Sequence, residues 1–199
     1  MRVLPSGSSA LLVELDDLDA VLGFSAALRD RALPGVVDVV PAARTVLVVA
    51  DGDLADVRAA LERLPWRPGR AGTGERVELP VRYDGADLAD VAELLGTDPD
   101  GVVAAHSGRE WTVAFCGFSP GFGYCVPDGP PWDVPRLATP RTRVPAGSVG
   151  LAGGFTGVYP SASPGGWRLV GRTDVAVFDL ARDPAALLRP GVRVRFVPC

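Results

Sequence analysis

The stretch from Trp111 to Asp174 constrains the fold of this 199-residue chain most strongly, because glycine, proline and arginine are concentrated in it. Proline fixes a backbone angle and glycine permits angles that other residues avoid, so such a segment forms shaped loops between short strands. Apolar side chains also alternate along three short runs, at 111–115, 167–170 and 192–196. These patterns predict a mainly-β, closed or nearly closed barrel domain over residues 76–199.

Residues 1–75 have a different pattern and predict a small α+β domain. Runs rich in valine and leucine predict strands at 2–4, 10–14, 36–40 and 45–49. Helical spacing of apolar residues predicts one helix from Leu18 and a second that Asp53 caps. Two strand–helix passes favour a two-layer sandwich resembling a ferredoxin-like fold, and we interpret it as a docking or scaffolding domain. The Pro-, Gly- and Arg-rich segment 65–74 is the predicted linker.

Charge and composition exclude several classes of protein. The net charge of −4 argues against a general nucleic-acid-binding protein. We find no apolar run long enough for a bilayer span and no apolar signal core at the start, so we expect a cytoplasmic protein. Cys116, Cys125 and Cys199 form no close pair, which fits a reducing compartment. With one histidine and no Cys-x-x-Cys motif, we expect no metal site.

All twenty basic residues are arginines. The chain therefore has no P-loop lysine, no Schiff-base lysine and no lysine to which biotin could be attached. If the protein binds a phosphate or a carboxylate, guanidinium groups or backbone N–H groups must bind it.

Two segments, Ser119-Pro120-Gly121-Phe122 and Ser163-Pro164-Gly165-Gly166, have the proline–glycine order of a type II turn. Each turn is either an ordinary hairpin end or a device that directs N–H groups and an aromatic ring towards a ligand. The aromatic residues beside the turns are Phe122, Tyr124 and Trp167.

Arg136, Arg141 and Arg143 lie in a short segment that Pro135, Pro140 and Pro145 stiffen. In extended backbone the side chains at 141 and 143 project to the same side, so two parallel guanidinium groups could bind an anion. The alternative is a solvated basic face. The glycine-rich run 147–154, which contains Ser148, could add a backbone site for an anion, although this signal is weak alone.

His106 ends a predicted helix that begins at the cap residue Asp98. A single histidine at this place is more often a capping or packing residue than a catalytic one. A Cys116–His106 nucleophile pair has no support beyond closeness in sequence.

Several motifs in a fixed order resemble the 5-oxoprolinase B-subunit family, which is also described as KipI-like or allophanate hydrolase subunit 1. They are Gly117-Phe-Ser-Pro-Gly-Phe-Gly-Tyr124, Ala138-Thr-Pro-Arg-Thr-Arg-Val-Pro-Ala-Gly-Ser-Val149, Thr156-Gly-Val-Tyr-Pro160, Ser163-Pro-Gly-Gly-Trp167 and Gly171-Arg-Thr173. The chain departs from the family pattern at Leu137, Phe155 and Asp174, and these departures concern the substrate more than the fold.

The resemblance implies a cyclophilin-like barrel after the α+β domain. It also implies an ATP-dependent hydrolase, inactive alone, which converts 5-oxoproline to glutamate together with a KipA-like C subunit and an A subunit of 5-oxoprolinase. ATP, with Mg²⁺, would be bound with the partner subunit. On this hypothesis the catalytic residues are His106, Arg141 and Arg143, and the residues that contact substrate are Pro120, Gly121, Phe122, Tyr124, Ser148, Trp167 and Arg172.

Three other functions stay open at this stage. The first is a KipI-type regulator that binds and inhibits a sensor histidine kinase. The second is a component of a urea or amide carboxylase–allophanate hydrolase system. The third is a stand-alone module that binds a small carboxylate.

Overall fold

A computed structural model describes residues 1–69 and 74–199. The chain divides into two compact units, Met1–Ala71 and Gly72–Cys199, and each is described by itself. The predicted linker at 65–74 lies partly outside the described residues. No helix among those residues combines the length and the apolar character needed to cross a membrane.

The first unit alternates strand pairs with helices: β1 (Arg2–Pro5), β2 (Ala10–Glu14), α1 (Leu18–Arg31), β3 (Val36–Pro41), β4 (Thr45–Ala50) and α2 (Leu54–Arg63). Local side chains fix both helix starts, as the sequence predicts for α2. Asp17 accepts a hydrogen bond from the amide of Ala20 at 2.8 Å, and Asp53 accepts one from Ala55 at 2.7 Å. Each cap satisfies an amide that the helix itself leaves unpaired.

The antiparallel sheet of this unit has the order β1-β2-β4-β3 and two different faces. On one face the paired residues Val13 and Val46 are fully buried, in one core cluster with Phe24 of α1 and Leu61 of α2. The two layers are therefore present. The ferredoxin-like arrangement is not confirmed, because the elements follow the order ββαββα instead of βαββαβ.

The second unit contains β5 (Arg76–Val81), α3 (Leu88–Leu94), α4 (Pro99–Ser107), β6 (Trp111–Cys116), β7 (Gly123–Pro127), β8 (Arg141–Val144), β9 (Ser148–Ala152), β10 (Phe155–Val158), β11 (Ser163–Gly165), β12 (Arg168–Arg172) and β13 (Arg193–Pro198). Helix α4 starts as predicted, with Asp98 accepting a hydrogen bond from Gly101 at 2.7 Å and Pro99 in the first turn.

Seven of these strands form one sheet in the order β12-β9-β10-β7-β6-β13-β5. Its outer strands meet where Arg82, directly after β5, forms an antiparallel bridge with Arg172 of β12, with backbone hydrogen bonds of 2.9 Å in both directions. The predicted nearly closed barrel is therefore present, while its cyclophilin-like character stays an expectation. Strands β8 and β11 form a separate two-stranded sheet. Trp111, Leu79 and Phe196 are among the buried residues of the barrel core.

Candidate functional site

A pocket of about 260 Å³ opens on the barrel unit where the aromatic rings and the arginine segment meet. Its lining consists of five aromatic residues, one cation and a set of prolines and glycines: Phe118, Phe122, Tyr124, Tyr159, Trp167, Arg136, Pro140, Pro164, Gly165 and Gly166. Cavities that hold drug-sized ligands have roughly 300 to 1,000 Å³, so this pocket suits a smaller molecule.

Phe122 is the centre of the aromatic wall. Its ring makes edge-to-face contacts with Tyr124, Tyr159 and Trp167 at centroid distances of 5.1, 5.3 and 5.2 Å. Phe122 and Trp167 are buried, so the wall is packed before any ligand arrives. The sequence predicts three of these residues as ligand contacts, and the structure brings Phe122, Tyr124 and Trp167 together around one cavity.

The turn that carries Phe122 has the predicted type II geometry. The amide of Phe122 donates to the carbonyl oxygen of Ser119 at 3.0 Å, and Gly121 has φ 83°, a value that L side chains rarely adopt. A Cβ at Gly121 would overlap the side chain of Phe178, so the turn also needs glycine for space. Pro120 is exposed, and neither Pro120 nor Gly121 lines the pocket.

The second predicted turn has a different structure. Ser163–Gly165 forms β11, which pairs with β8, so this segment is a strand and not a hairpin end. Pro164, Gly165 and Gly166 nevertheless line the pocket. Only glycine fits at position 165, because a Cβ there would overlap the phenol of Tyr159.

Tyr159 is a pocket residue that sequence reasoning does not single out, and it is buried in the aromatic wall. Burial raises the pKa of its hydroxyl, against smaller opposing effects from a backbone hydrogen bond of Trp167 and from the charges of Arg136 and Arg141. The hydroxyl therefore stays protonated and can donate a hydrogen bond. Its position in the Thr156–Pro160 motif is the signal that points to it.

Arg136 supplies the cation of the pocket lining and is exposed to solvent. Its charge also reaches the aromatic wall, since burial raises the pKa of Tyr124 and the nearby Arg136 guanidinium partly opposes that rise. An exposed guanidinium beside aromatic faces can bind an anionic group while the rest of the ligand packs on the rings.

Arg141 lies beside the pocket, because its neighbour Pro140 and its cross-strand partner Gly165 both line the cavity. Its Nη2 donates to Oδ1 of Asp87 at 2.7 Å. Asp87 is buried, and its second oxygen accepts a hydrogen bond from the amide of Leu169 at 2.6 Å. Nη1 of Arg141 is also buried, without a hydrogen-bond partner among the described residues. Nη2 is thus anchored, whereas Nη1 is a buried donor without a partner, in a residue that lies beside the pocket but is not among those that line it.

The two arginines that the sequence predicts as a parallel pair have different surroundings. Arg143 is exposed on β8 and does not line the pocket, whereas Arg141 is drawn to Asp87. Arg172 lies elsewhere, since its guanidinium pairs with Asp84 at 2.7 Å and it lines a second cavity of about 320 Å³ with Arg82 and Thr173.

Ser148 is also outside the pocket. It is buried in β9, where its carbonyl oxygen accepts a hydrogen bond from the amide of Tyr159 at 2.9 Å. The run 147–154 suggests a backbone anion site, but from 148 to 152 it is a strand paired with β10 and β12. Its backbone groups therefore serve the sheet.

His106 lies in the barrel core, fully buried and in contact with the rings of Trp111 and Phe196 at centroid distances of 5.0 and 4.4 Å. Its Nδ1 is 2.8 Å from the hydroxyl of Tyr83, and its Nε2 is 2.9 Å from Oγ1 of Thr156. It is not among the residues that line the aromatic pocket.

The hydrogen bonds of Thr156 fix the tautomer of this histidine. The Thr156 hydroxyl donates to the carbonyl oxygen of Gly150 at 3.2 Å, so it accepts from Nε2–H of His106, and Nδ1 then accepts from Tyr83. Burial, with a smaller effect of the Arg109 charge, lowers the pKa of His106 to about 3. A neutral ring with both nitrogens bonded favours the packing role over proton transfer.

Comparison with known proteins agrees with this fold. The family described as "Carboxyltransferase domain, subdomain C and D" matches residues 1–188. The 5-oxoprolinase B subunit of Escherichia coli O157:H7 is 45% identical, over 96% of this chain and 93% of that protein.

Two solved structures are similar to the whole chain. The crystal structure of TTHA0988 has 37% sequence identity and a TM-score of 0.77, and it covers 96% of this chain, which spans only 40% of TTHA0988. The urea amidolyase of K. lactis has 21% sequence identity and a TM-score of 0.77. It shares the fold over 100% of this chain, which spans 16% of the urea amidolyase chain.

The 5-oxoprolinase B subunit that is 45% identical over nearly its full length and the family match over residues 1–188 support the same conclusion. The motifs around the pocket, from Gly117 to Thr173, agree with it. This chain belongs to the 5-oxoprolinase B-subunit family.

Proposed function

We propose that this chain is the B subunit of an ATP-dependent 5-oxoprolinase and that its aromatic pocket holds the lactam substrate. The observation that carries the proposal is the combination, in one small cavity, of packed aromatic rings and the Arg136 guanidinium. The name that three relatives share, which is that of the 5-oxoprolinase B subunit, supports a place in a hydrolase complex.

The chemistry of 5-oxoproline fits the pocket. The molecule is a flat five-membered lactam with one carboxylate, so its ring faces would pack against Phe122 and Trp167. The carboxylate would bind Arg136. Arg141 does not line the pocket, but its buried Nη1, which has no partner among the described residues, would be a second donor once the ligand displaces the atoms that cover it. A hydrogen bond to a charged group contributes about 1.5–3 kcal/mol, which is enough for each arginine to affect substrate affinity measurably.

The carboxylate of Asp87 would act through Arg141. By holding Nη2 it fixes the guanidinium plane, so little rotamer entropy remains to be lost at Nη1 when the ligand binds. The protonated hydroxyl of Tyr159 could donate to the lactam oxygen. Arg143 and His106 have no contact with the pocket that would give them these roles, so the catalytic assignment of both stays a prediction from the sequence.

ATP with Mg²⁺ would supply the phosphoryl group that activates an otherwise unreactive amide. This chain fits that group poorly, since it has no lysine and residues 1–69 and 74–199 contain no group of three His, Cys, Asp or Glu side chains that could hold a metal. We therefore place ATP and Mg²⁺ with the partner A and C subunits, and assign substrate binding to this chain.

The proposal is tested by 5-oxoproline-dependent ATP hydrolysis, measured with the chain alone, with the A and C subunits added, and with Arg141→Ala in the full mixture. We expect turnover only in the full mixture, and a loss of at least about tenfold in kcat/KM for Arg141→Ala. Equal ATP hydrolysis with and without 5-oxoproline would refute the substrate, and full activity of Arg141→Ala would refute the role of that residue. Tight binding of a sensor kinase without any lactam turnover would favour the regulator hypothesis instead.

A further inference from the structure

Phe118 is the most exposed of the five aromatic residues that line the pocket. It is 60% exposed, whereas Phe122 is 1% and Trp167 5% exposed. Its ring makes edge-to-face contacts with Phe122 and Tyr159, at centroid distances of 5.4 and 6.2 Å. The free energy that apolar contact contributes to binding is proportional to the area removed from water, and the buried rings have almost none left to bury. Phe118 therefore gives a ligand more aromatic surface to cover than any other residue of the lining.

The backbone at Phe118 is strained. Its φ is 68°, in a region that residues other than glycine rarely adopt. The amide of Ser119 donates to the carbonyl oxygen of Gly117 at 2.8 Å, so Phe118 is the central residue of a γ-turn, and the positive φ makes this the rare, strained form. The same turn buries the Ser119 hydroxyl, which has no hydrogen-bond partner among the described residues. Folding alone would favour glycine at position 118.

The rest of the loop holds Phe118 in this position. The amide of Gly117 donates to the carbonyl oxygen of Phe122 at 3.2 Å, and the amide of Phe122 donates to that of Ser119 at 3.0 Å. The Phe118 ring both lines the cavity and is largely exposed, so it lies at the open side of the pocket. Backbone strain that the surrounding structure imposes beside a ligand cavity commonly serves binding.

We propose that Phe118 is a substrate-binding residue whose ring covers the flat ring of a cyclic carboxylate while Arg136 binds the carboxylate. The inference rests on the proposed function and adds the residue that selects the shape of the substrate. An anion bound to Arg136 alone would leave the Phe118 ring exposed. A rigid five-membered ring covers the phenyl group and loses little rotational freedom on binding, whereas an open-chain carboxylate loses more. Phe118 should therefore favour 5-oxoproline over glutamate, the product of its hydrolysis.

The test measures dissociation constants by isothermal titration calorimetry, with the chain in complex with the A and C subunits and without ATP. The ligands are 5-oxoproline, glutamate and pyrrole-2-carboxylate, a flat five-membered ring with one carboxylate and no lactam to hydrolyse. Phe118→Ala removes the ring but keeps the Cβ that the backbone angle disfavours, and Phe118→Trp keeps a large ring. Leu180→Ala is the control, since Leu180 is exposed on the barrel unit and does not line the pocket.

Phe118→Ala should raise the Kd of both ring ligands about tenfold, because the exposed phenyl surface is no longer covered, and should change that of glutamate less than about twofold. Phe118→Trp and Leu180→Ala should each change the three constants less than about threefold.

Phe118→Gly separates binding from folding. It removes the ring and the backbone strain together, so we expect the same loss of affinity as in Phe118→Ala, with a melting temperature equal to that of the wild type or up to about 4 °C higher. A purely structural role of Phe118 predicts the opposite result, a lower melting temperature with unchanged affinity for the ring ligands.

Unchanged affinity of Phe118→Ala and Phe118→Gly for the ring ligands would overturn the proposal. So would dissociation of the complex in these variants, seen by size-exclusion chromatography, since Phe118 would then contact a partner subunit. A wild-type complex that binds none of the ring ligands would refute both this proposal and the proposed function.

Two further outcomes separate this proposal from the proposed function. Binding of pyrrole-2-carboxylate that depends on Phe118, without binding or hydrolysis of 5-oxoproline, would support the role of Phe118 and refute the proposed function. Hydrolysis of 5-oxoproline whose KM Phe118→Ala leaves unchanged would support the proposed function and refute the role of Phe118.

Discussion

Asp87 and Arg141 are 54 residues apart in sequence and joined by a hydrogen-bonded ion pair of 2.7 Å at the edge of the aromatic pocket. The Asp87 side chain is 6% exposed and the Arg141 side chain 28%. Since the other oxygen of Asp87 binds the amide of Leu169 in β12, one carboxylate joins the start of α3 to β8 and β12. The ion pair fixes both the fold around the pocket and the orientation of the Arg141 guanidinium group.

Removing the charge of Asp87 should therefore destabilise the barrel. Asp87→Asn leaves Arg141 partly buried without a counter-charge, and we expect a loss of about 3 kcal/mol in the free energy of unfolding, measured in urea by tryptophan fluorescence. The matched control is Asp90→Asn in α3, whose carboxylate is 62% exposed and pairs with Arg168 at 3.1 Å. An exposed pair contributes at most about 1 kcal/mol. Equal effects of the two changes would contradict this account.

Replacing Arg136 should weaken substrate binding without unfolding the protein. Arg136→Gln removes a cation from an exposed position in the pocket lining, so we expect the KM for 5-oxoproline to rise about 10- to 100-fold in the reconstituted complex, with the melting temperature unchanged. Arg195→Gln on β13 is the control, since Arg195 is exposed and does not line the pocket. A KM for Arg136→Gln within twofold of the wild-type value would contradict a role of Arg136 in substrate binding.

The buried His106 should make the barrel sensitive to acid. Its pKa is lowered from 6.5 to about 3 in the folded protein, so between these values the unfolded chain binds a proton that the folded chain does not. Stability contributed by the neutral ring is complete above pH 6.5 and falls as the pH drops towards 3, by up to about 1.4 kcal/mol per pH unit. His106→Gln should lose this slope, which urea titrations at about pH 5 and pH 7 can measure. Parallel pH profiles for the variant and the wild type would contradict the buried neutral state.

Replacing Gly121 should strongly lower the free energy of unfolding. Gly121→Ala combines a backbone angle of φ 83° with a clash against Phe178, so we expect a loss of about 2–4 kcal/mol in the free energy of unfolding. Gly96→Ala is the control, because Gly96 has φ 66° and open space around it. It should cost about 1 kcal/mol, and the difference measures the clash alone. Identical losses in chemical denaturation would mean that the contact with Phe178 contributes nothing.

Local rules explain what the sequence predicts well. The helix caps at Asp53 and Asp98 and the turn at Gly121 each depend on a few adjacent residues, and the structure confirms all three. Alternation of apolar side chains predicts strands that the structure contains as β6, β12 and β13. Only β13 alternates between buried and exposed residues, whereas β6 is buried on both faces from Trp111 to Phe115.

The features that sequence reasoning misses depend on distant partners. Nothing near Arg141 in the chain indicates that Asp87 will hold it, so local spacing points only to its neighbour Arg143. The strand β11 similarly exists only because β8 lies beside it. For His106, the alternative of a packing residue is the one that its buried geometry favours.

The position of β13 has a consequence for biosynthesis. This strand, Arg193–Pro198, lies between β5 and β6 and pairs with both, in parallel with β5 and antiparallel with β6. During translation β5 and β6 must wait for their shared neighbour, which follows every other strand that the structure describes. The nascent barrel therefore stays open, with its edges unpaired, until synthesis has passed β13, and chaperones have that whole interval in which to bind it.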